Sequence, residues 1–121
     1  MKYSFLLAVC AALFFGTYSC SKDKAAAPTT GATCDSTKVG YSKAGKVFTS
    51  ECATSGCHDA STKQSGYDLT TYSNCRTLIE GRNGLCYIKD NGCAVMPPYG
   101  KMADSLITVI EQWKADGYCS N

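Results

Sequence analysis

Residues 50–60 read "SECATSGCHDA": Cys52 and Cys57 lie five positions apart, and His58, the only histidine of the chain, directly follows the second. Three chemistries compete for such a cluster: a short disulfide loop, a metal cage, and covalent attachment of a prosthetic group. The residues around it decide between them, and with that choice comes the fold.

Covalent haem attachment needs two thiols that reach the two vinyl groups on one porphyrin edge. It also needs a histidine immediately after the second thiol, so that the imidazole swings over the ring to the iron. The usual gap between the cysteines is two residues. Here it is the four residues "ATSG", and these small side chains with Gly56 can bulge outward without moving the Cys57–His58 pair. A Cys52–Cys57 disulfide with an incidental His58 accounts for the same residues. A zinc site needs spaced Cys and His ligands, and the chain has one histidine to offer. A cysteine nucleophile with His58 as its base is weaker still. Adjacent side chains seldom face each other, and an oxidising compartment consumes a free thiol.

The 121 residues leave room for one folded domain. Residues 1–19 read as a secretory signal. Lys2 supplies the positive start, and "FLLAVCAALFF" is an apolar run too short for a spanning helix of about 20 residues. No later segment approaches that length, so no membrane crossing is expected of the mature chain. "GTYSC" followed by "SKDK" resembles the cleavage box of bacterial lipoproteins, in which the cysteine, here Cys20, becomes the lipid-modified first residue. Thr17 stands where leucine is usual, and plain cleavage near residues 25–27 is the alternative. Residues 20–33, small, polar and with a proline, read as a lipid-anchored flexible tether. The folded domain is then 34–121, with a modest apolar core that a buried prosthetic group or disulfides would help.

Charge excludes more than it suggests. From Cys34 onward nine basic side chains meet nine acidic ones, with no basic block and no acidic tail. Nucleic acid and acidic polymers are therefore not favoured partners. A near-neutral surface suits weak, local docking better than long-range steering.

Nine cysteines combined with an export signal point to an oxidising compartment. Cys10 leaves with the signal and Cys20 goes to the lipid. Cys34, Cys52, Cys57, Cys75, Cys86, Cys93 and Cys119 remain, an odd number, so one thiol stays unpaired under either reading of the 52–58 cluster.

The spacing predicts three helices. Residues 41–52 place Ala44, Val47 and Phe48 on one face, with Ser42 as a cap. Residues 70–81 bring Cys75, Leu78 and Ile79 together and stop at Gly81. Residues 104–117 repeat Leu106, Val109, Ile110 and Trp113 at three and four, with Asp104 at the start and Gly117 at the end. "EGRNG", "KDNG" and "MPPYG" read as turns, and no alternating run is long enough for a strand. The expected class is all-α with long loops.

"AGKVFTSECATSGCHD" (44–59) resembles the start of small class I cytochromes c, where a glycine and an aromatic precede the first haem cysteine; Gly45 and Phe48 occupy those places. "GYDLTTYSN" (66–74) and "VMPPYGKMADSLITVIEQWKADG" (95–117) extend the likeness to the short c-type cytochrome domains of bacterial lipoproteins, over roughly residues 35–118. The resemblance implies a cytochrome c-like fold of three main helices around one covalently bound haem c. In it Cys52 and Cys57 form the thioether links, His58 is the proximal iron ligand, and Met96 is the distal ligand. A thioether sulfur favours reduced iron, and Pro97 and Pro98 would stiffen the chain beside it. Met102, the rival, falls where the family has an apolar core residue. Phe48 and Trp113 are implied as haem-pocket or helix-contact aromatics. Arg76 and Arg82 are either propionate partners or solvated surface charges.

The chain departs from the pattern in its four-residue gap, in Ala103 where a capping Ser or Thr is common, and in its extra cysteines. Cytochrome c folds bring their ends together, which implies a Cys34–Cys119 pair. Cys86 and Cys93 flank the turn-like "YIKDNG", which a disulfide could close, and Cys75 is left over. The function expected from the resemblance is one-electron transport outside the cytoplasm, in the periplasm or as an outer-membrane or cell-surface lipoprotein. Redox proteins would dock transiently, and the lipid would be the sole membrane contact. A disulfide-stapled binding or structural module without cofactor is the first alternative, and a haem sensor or peroxidase-like domain the second.

Overall fold

The computed structural model describes residues 34–121; the expected signal (1–19), the lipidation site Cys20 and the tether (20–33) lie outside the described residues. The regular structure is α1 (Tyr41–Glu51), α2 (Tyr72–Gly81), α3 (Gly84–Lys89) and α4 (Asp104–Ala115), with a 3-10 turn at Gln64–Gly66. The described residues hold no strand, and one parallel bridge joins Gly40 to Cys119. The all-α class is as expected. No described helix is long and apolar enough to cross a membrane.

α1 buries the expected face, Ala44, Val47 and Phe48, together with Gly45. Its start departs from expectation. Ser42 does not cap it; Gly40 stands at the cap position with no side-chain bond. The first free N–H groups of a helix need acceptors, and here the C-terminal segment supplies them. Tyr41 N–H donates to the Cys119 carbonyl at 2.9 Å and Ser42 N–H to the Asn121 carbonyl at 3.0 Å. A Cβ on Gly40 would lie 2.0 Å from that Asn121 oxygen, so the close approach requires glycine.

α1 crosses α4 around Trp113, which is 0% exposed. Its ring meets Phe48 at 6.0 Å, Tyr41 at 5.7 Å, Tyr72 at 5.8 Å and Tyr118 at 5.0 Å, and its N–H donates to the Cys119 carbonyl at 2.9 Å. Gly45 contributes by leaving space: a Cβ there would come within 3.0 Å of the Tyr41 ring. Along α4 the buried stripe is Ile107, Ile110 and Trp113, with Leu106 and Val109 half-buried at its flanks. The expected face is therefore turned by about one residue, onto Ile107. Ala103 caps α4 without a side-chain bond, and Asp104 pairs instead with Lys101 at 2.6 Å. Gly117, at φ +82°, closes the helix as expected.

α2 opens at Thr71, whose hydroxyl accepts from Asn74 N–H at 3.4 Å, and buries Cys75 and Ile79. Gly81 is still helical, and the left-handed residue is Asn83 at φ +55°. α3 was expected as turn. It has six residues between two turns, too few to show a helical period. Gly84 lets it approach α2, since a Cβ there would lie 2.9 Å from Leu78 and Ile79 side-chain atoms. Buried Ile88 and the 2.5 Å Lys89–Glu111 ion pair fix α3 to the core and to α4.

Both expected disulfides are present, Cys34–Cys119 across 85 positions and Cys86–Cys93 across seven. By loop-closure entropy the first is worth roughly 4–5 kcal/mol and the second roughly 2–3 kcal/mol. Cys52, Cys57 and Cys75 are free thiols. Cys75 is fully buried, and its thiol donates to the Leu69 carbonyl at 3.2 Å.

Two substitutions check this packing by urea unfolding. Trp113→Ala is expected to lower the unfolding free energy by about 3–5 kcal/mol. Gly40→Ala, which forces the Asn121 carbonyl away from α1, is expected to cost about 1–3 kcal/mol; a wild-type midpoint would refute the backbone cap.

Candidate functional site

Cys52 caps the end of α1, and its N–H still bonds the Phe48 carbonyl at 2.9 Å. The chain then bulges through exposed Thr54, Ser55 and Gly56, the last at φ +85° with open space around it. It returns so that His58 N–H donates to the Cys52 carbonyl at 3.1 Å, which ties the two ends of the loop together. Asp59 braces the far side. Its carboxylate accepts from the N–H groups of Gly56 at 2.9 Å, Ser61 at 2.8 Å and Thr62 at 3.0 Å, and these bonds hold its pKa far below the usual carboxylate range. The four-residue gap is thus a closed turn with its own hydrogen bonds.

His58 is fixed at both ends. Its carbonyl accepts from Leu69 N–H at 2.8 Å, and Nδ1 lies 3.3 Å from the Tyr67 carbonyl. With Nδ1 carrying the proton toward that carbonyl, Nε2 keeps its lone pair for a metal, the usual outer partner arrangement of a ligating histidine.

The loop opens on a cleft of about 720 Å³, within the roughly 300–1,000 Å³ range of cofactor sites. Cys52, Cys57 and His58 line one part of it, and Met96 with Pro97, Pro98 and Tyr99 lines another. Tyr67 and Leu69 come from the segment before α2, Leu78 from α2, and Gly84, Tyr87 and Ile88 from α3. The cleft therefore gathers all four residues expected at the iron and the thioethers, although Met96 is far from the others in sequence. Met96 is 37% exposed in this cleft, whereas Met102 is buried in the core and does not line it. Met96 N–H is held by the Tyr87 carbonyl at 3.1 Å.

Phe48 and Trp113 are not among the lining residues; they occupy the α1–α4 crossing, the helix-contact option of the two expected. Arg76 and Arg82 do not line it either. Arg76 bonds Glu80 at 2.9 Å and lies 5.0 Å over the Tyr118 ring. Glu51 is the one charged lining residue, and the other polar side chains include those of Thr54, Gln64, Ser65, Tyr67, Tyr87 and Tyr99. Sequence reasoning missed Tyr67, Leu78, Tyr87 and Ile88 as lining residues. They come from three separate segments, and only the fold brings them together.

Cys52 and Cys75 are not set up as nucleophiles. Burial, then the neighbouring Cys75, Glu51 and Cys57, push the Cys52 thiol up to about 12, and burial raises Cys75 to about 11. An activated cysteine nucleophile needs the opposite shift. Among the described residues no three His, Cys, Asp or Glu side chains converge as a metal-ion cage. A porphyrin iron would ask the chain for only two donors, and His58 and Met96 line the same cleft with a nitrogen and a sulfur.

No protein-family model, curated protein or solved structure matches the chain.

Proposed function

We propose that the chain is a single-haem c-type cytochrome domain that carries one electron at a time between redox proteins outside the cytoplasm. The observation that carries this reading is the meeting of Cys52, Cys57, His58 and Met96 in one largely apolar cleft. Two further facts support it. Cys52 and Cys57 stay as thiols while four other cysteines are oxidised. Nδ1 of His58 is engaged by a backbone carbonyl, which leaves Nε2 to bind.

In this reading Cys52 and Cys57 attach haem c through thioethers, and His58 and Met96 hold its iron. The haem supplies the one-electron chemistry. The chain's residues do the remainder. Leu69, Leu78, Ile88 and the Pro97–Pro98 pair exclude water from the cleft. Tyr67 orients the imidazole through its carbonyl. Met96 offers a soft sulfur that raises the potential relative to a second nitrogen. No substrate is transformed. The two disulfides fit an oxidising compartment outside the cytoplasm. Attachment through a lipid on Cys20 completes the proposal, with transient docking of partners as its working mode.

Mass spectrometry of the protein made in a host with haem-attachment machinery tests the core of this reading. Covalent haem adds its mass to the Cys52–Cys57 peptide; a disulfide there, which the cofactor-free module requires, removes two hydrogens. Replacing Cys52, Cys57 or His58 is expected to abolish stable holoprotein, read as loss of the visible spectrum.

Met96→Ala is expected to keep haem attached, to remove the sulfur-to-iron absorption band, and to lower the potential by a fraction of the roughly 0.8 V span that axial ligands command. An unchanged ferric spectrum would refute Met96. Tight carbon monoxide binding to the reduced wild type would favour a sensor or peroxidase-like domain instead.

A further inference from the structure

Met96 reaches the cleft on a segment held by a single backbone bond to α3 and by the burial of Pro97. Downstream it is anchored by Met102, which is buried in the core. Upstream its two constraints converge on one place. Its N–H bonds the carbonyl of Tyr87, the neighbour of Cys86, and the chain leading to it begins at Cys93. Cys86 and Cys93 are joined by a disulfide. That single bond therefore ties the residue that holds Met96 to the strand of chain that delivers it.

The same bond is within reach of solvent. Cys86 and Cys93 are half-buried, and the turn between them, Lys89 to Gly92, is exposed throughout. In the other disulfide Cys34 is half-buried too, but its partner Cys119 is 0% exposed. Opening the 86–93 link would leave α3 in place, because Ile88 stays in the core and Lys89 stays paired with Glu111.

We propose that Cys86–Cys93 is a thiol-exchange site that governs whether Met96 is held at the cleft, its reaction partner being an extracytoplasmic dithiol protein. The dithiol attacks one sulfur, passes through a mixed disulfide, and leaves as a disulfide itself. The Cys86–Cys93 bond breaks, and both cysteines take up the two electrons and two protons that the dithiol gives up. The freed 94–99 segment then moves away from Tyr87, and the sulfur leaves the cleft. The proposal rests on the haem reading for its consequence at iron, but the coupling between disulfide and loop is a property of the chain alone.

The experiment uses the full chain in three forms: untreated, Cys86→Ser/Cys93→Ser, and reduced with dithiothreitol, alkylated, and then reoxidised at any iron. Amide hydrogen exchange of the peptide containing Met96 is expected to be at least about tenfold faster in the second and third forms, with α1 and α4 peptides unchanged. The ferric sulfur-to-iron band is expected to weaken in parallel. Alkylation mapped by mass is expected to find Cys86 and Cys93 labelled before Cys34 and Cys119.

Unchanged exchange at Met96, a full-strength band without the disulfide, or earlier reduction of Cys34–Cys119 would each overturn the proposal. A protein that carries no haem refutes the haem reading instead. The exchange data on that same sample still decide whether the disulfide controls the loop. Should the double variant fail to fold, the reduced and alkylated wild type gives the same comparison.

Discussion

Trp113 sits between α1 and α4 with four aromatic rings around it and its N–H on the Cys119 carbonyl. Those neighbours come from three parts of the chain: Tyr41 and Phe48 from α1, Tyr72 from the start of α2, and Tyr118 from the C-terminal segment. Because Cys52 is the first residue beyond α1, the angle at which α1 lies on α4 fixes where the Cys52 sulfur emerges. The aromatic crossing is therefore a structural support for the cleft, although none of its residues except the chain's continuation into Cys52 reaches it. The backbone cap of α1 by Cys119 and Asn121 works in the same direction, since it fixes the far end of the same helix.

The seven cysteines of the described region divide by role. Four are consumed in two crosslinks, one that closes the domain's ends and one that pins the Met96 segment to α3. Two lie on the cleft on either side of a hydrogen-bonded turn, and the seventh is buried, bonded to Leu69. A small domain with a limited apolar core gains rigidity where it needs it by this division. Asp59 completes the turn: its carboxylate ties Gly56 N–H of the 53–57 bulge to Ser61 and Thr62 N–H beyond His58, so the bulge and the chain after the imidazole are fixed together.

Much of this was legible in the sequence where the signal is local. The apolar period marked α1, α2 and α4, and Gly117 marked the end of α4 because a left-handed residue there has few substitutes. Adjacency made Cys57–His58 visible, and likeness to c-type cytochrome domains pointed to Met96. The rest was hidden for physical reasons. Ser42 was a sensible cap by composition, but the acceptors of α1 come from residues about eighty positions away. α3 is shorter than two helical turns and lies between turn residues. α2 does end at Gly81, but the left-handed residue lies two positions further on, at Asn83. The stripe on α4 shifted to Ile107 since the Trp113 ring decides which flank faces α1. Tyr87 and Ile88 carry no motif at all, and nothing local in "GYDLTTYSN" or the α2 stripe marks Tyr67 or Leu78 as cleft residues.

The Cys34–Cys119 bond has a mechanical meaning as well. Whatever precedes Cys34 joins the folded body at a covalent junction with its opposite terminus, beside the Gly40–Cys119 bridge and the hydrogen bonds that follow it. A tug on that leading segment is carried straight into Cys119 and from there to the indole it contacts. It cannot peel α1 away turn by turn. Drag on the body relative to any surface it is fastened to would thus load a sulfur–sulfur bond first, with the cleft left out of the line of force.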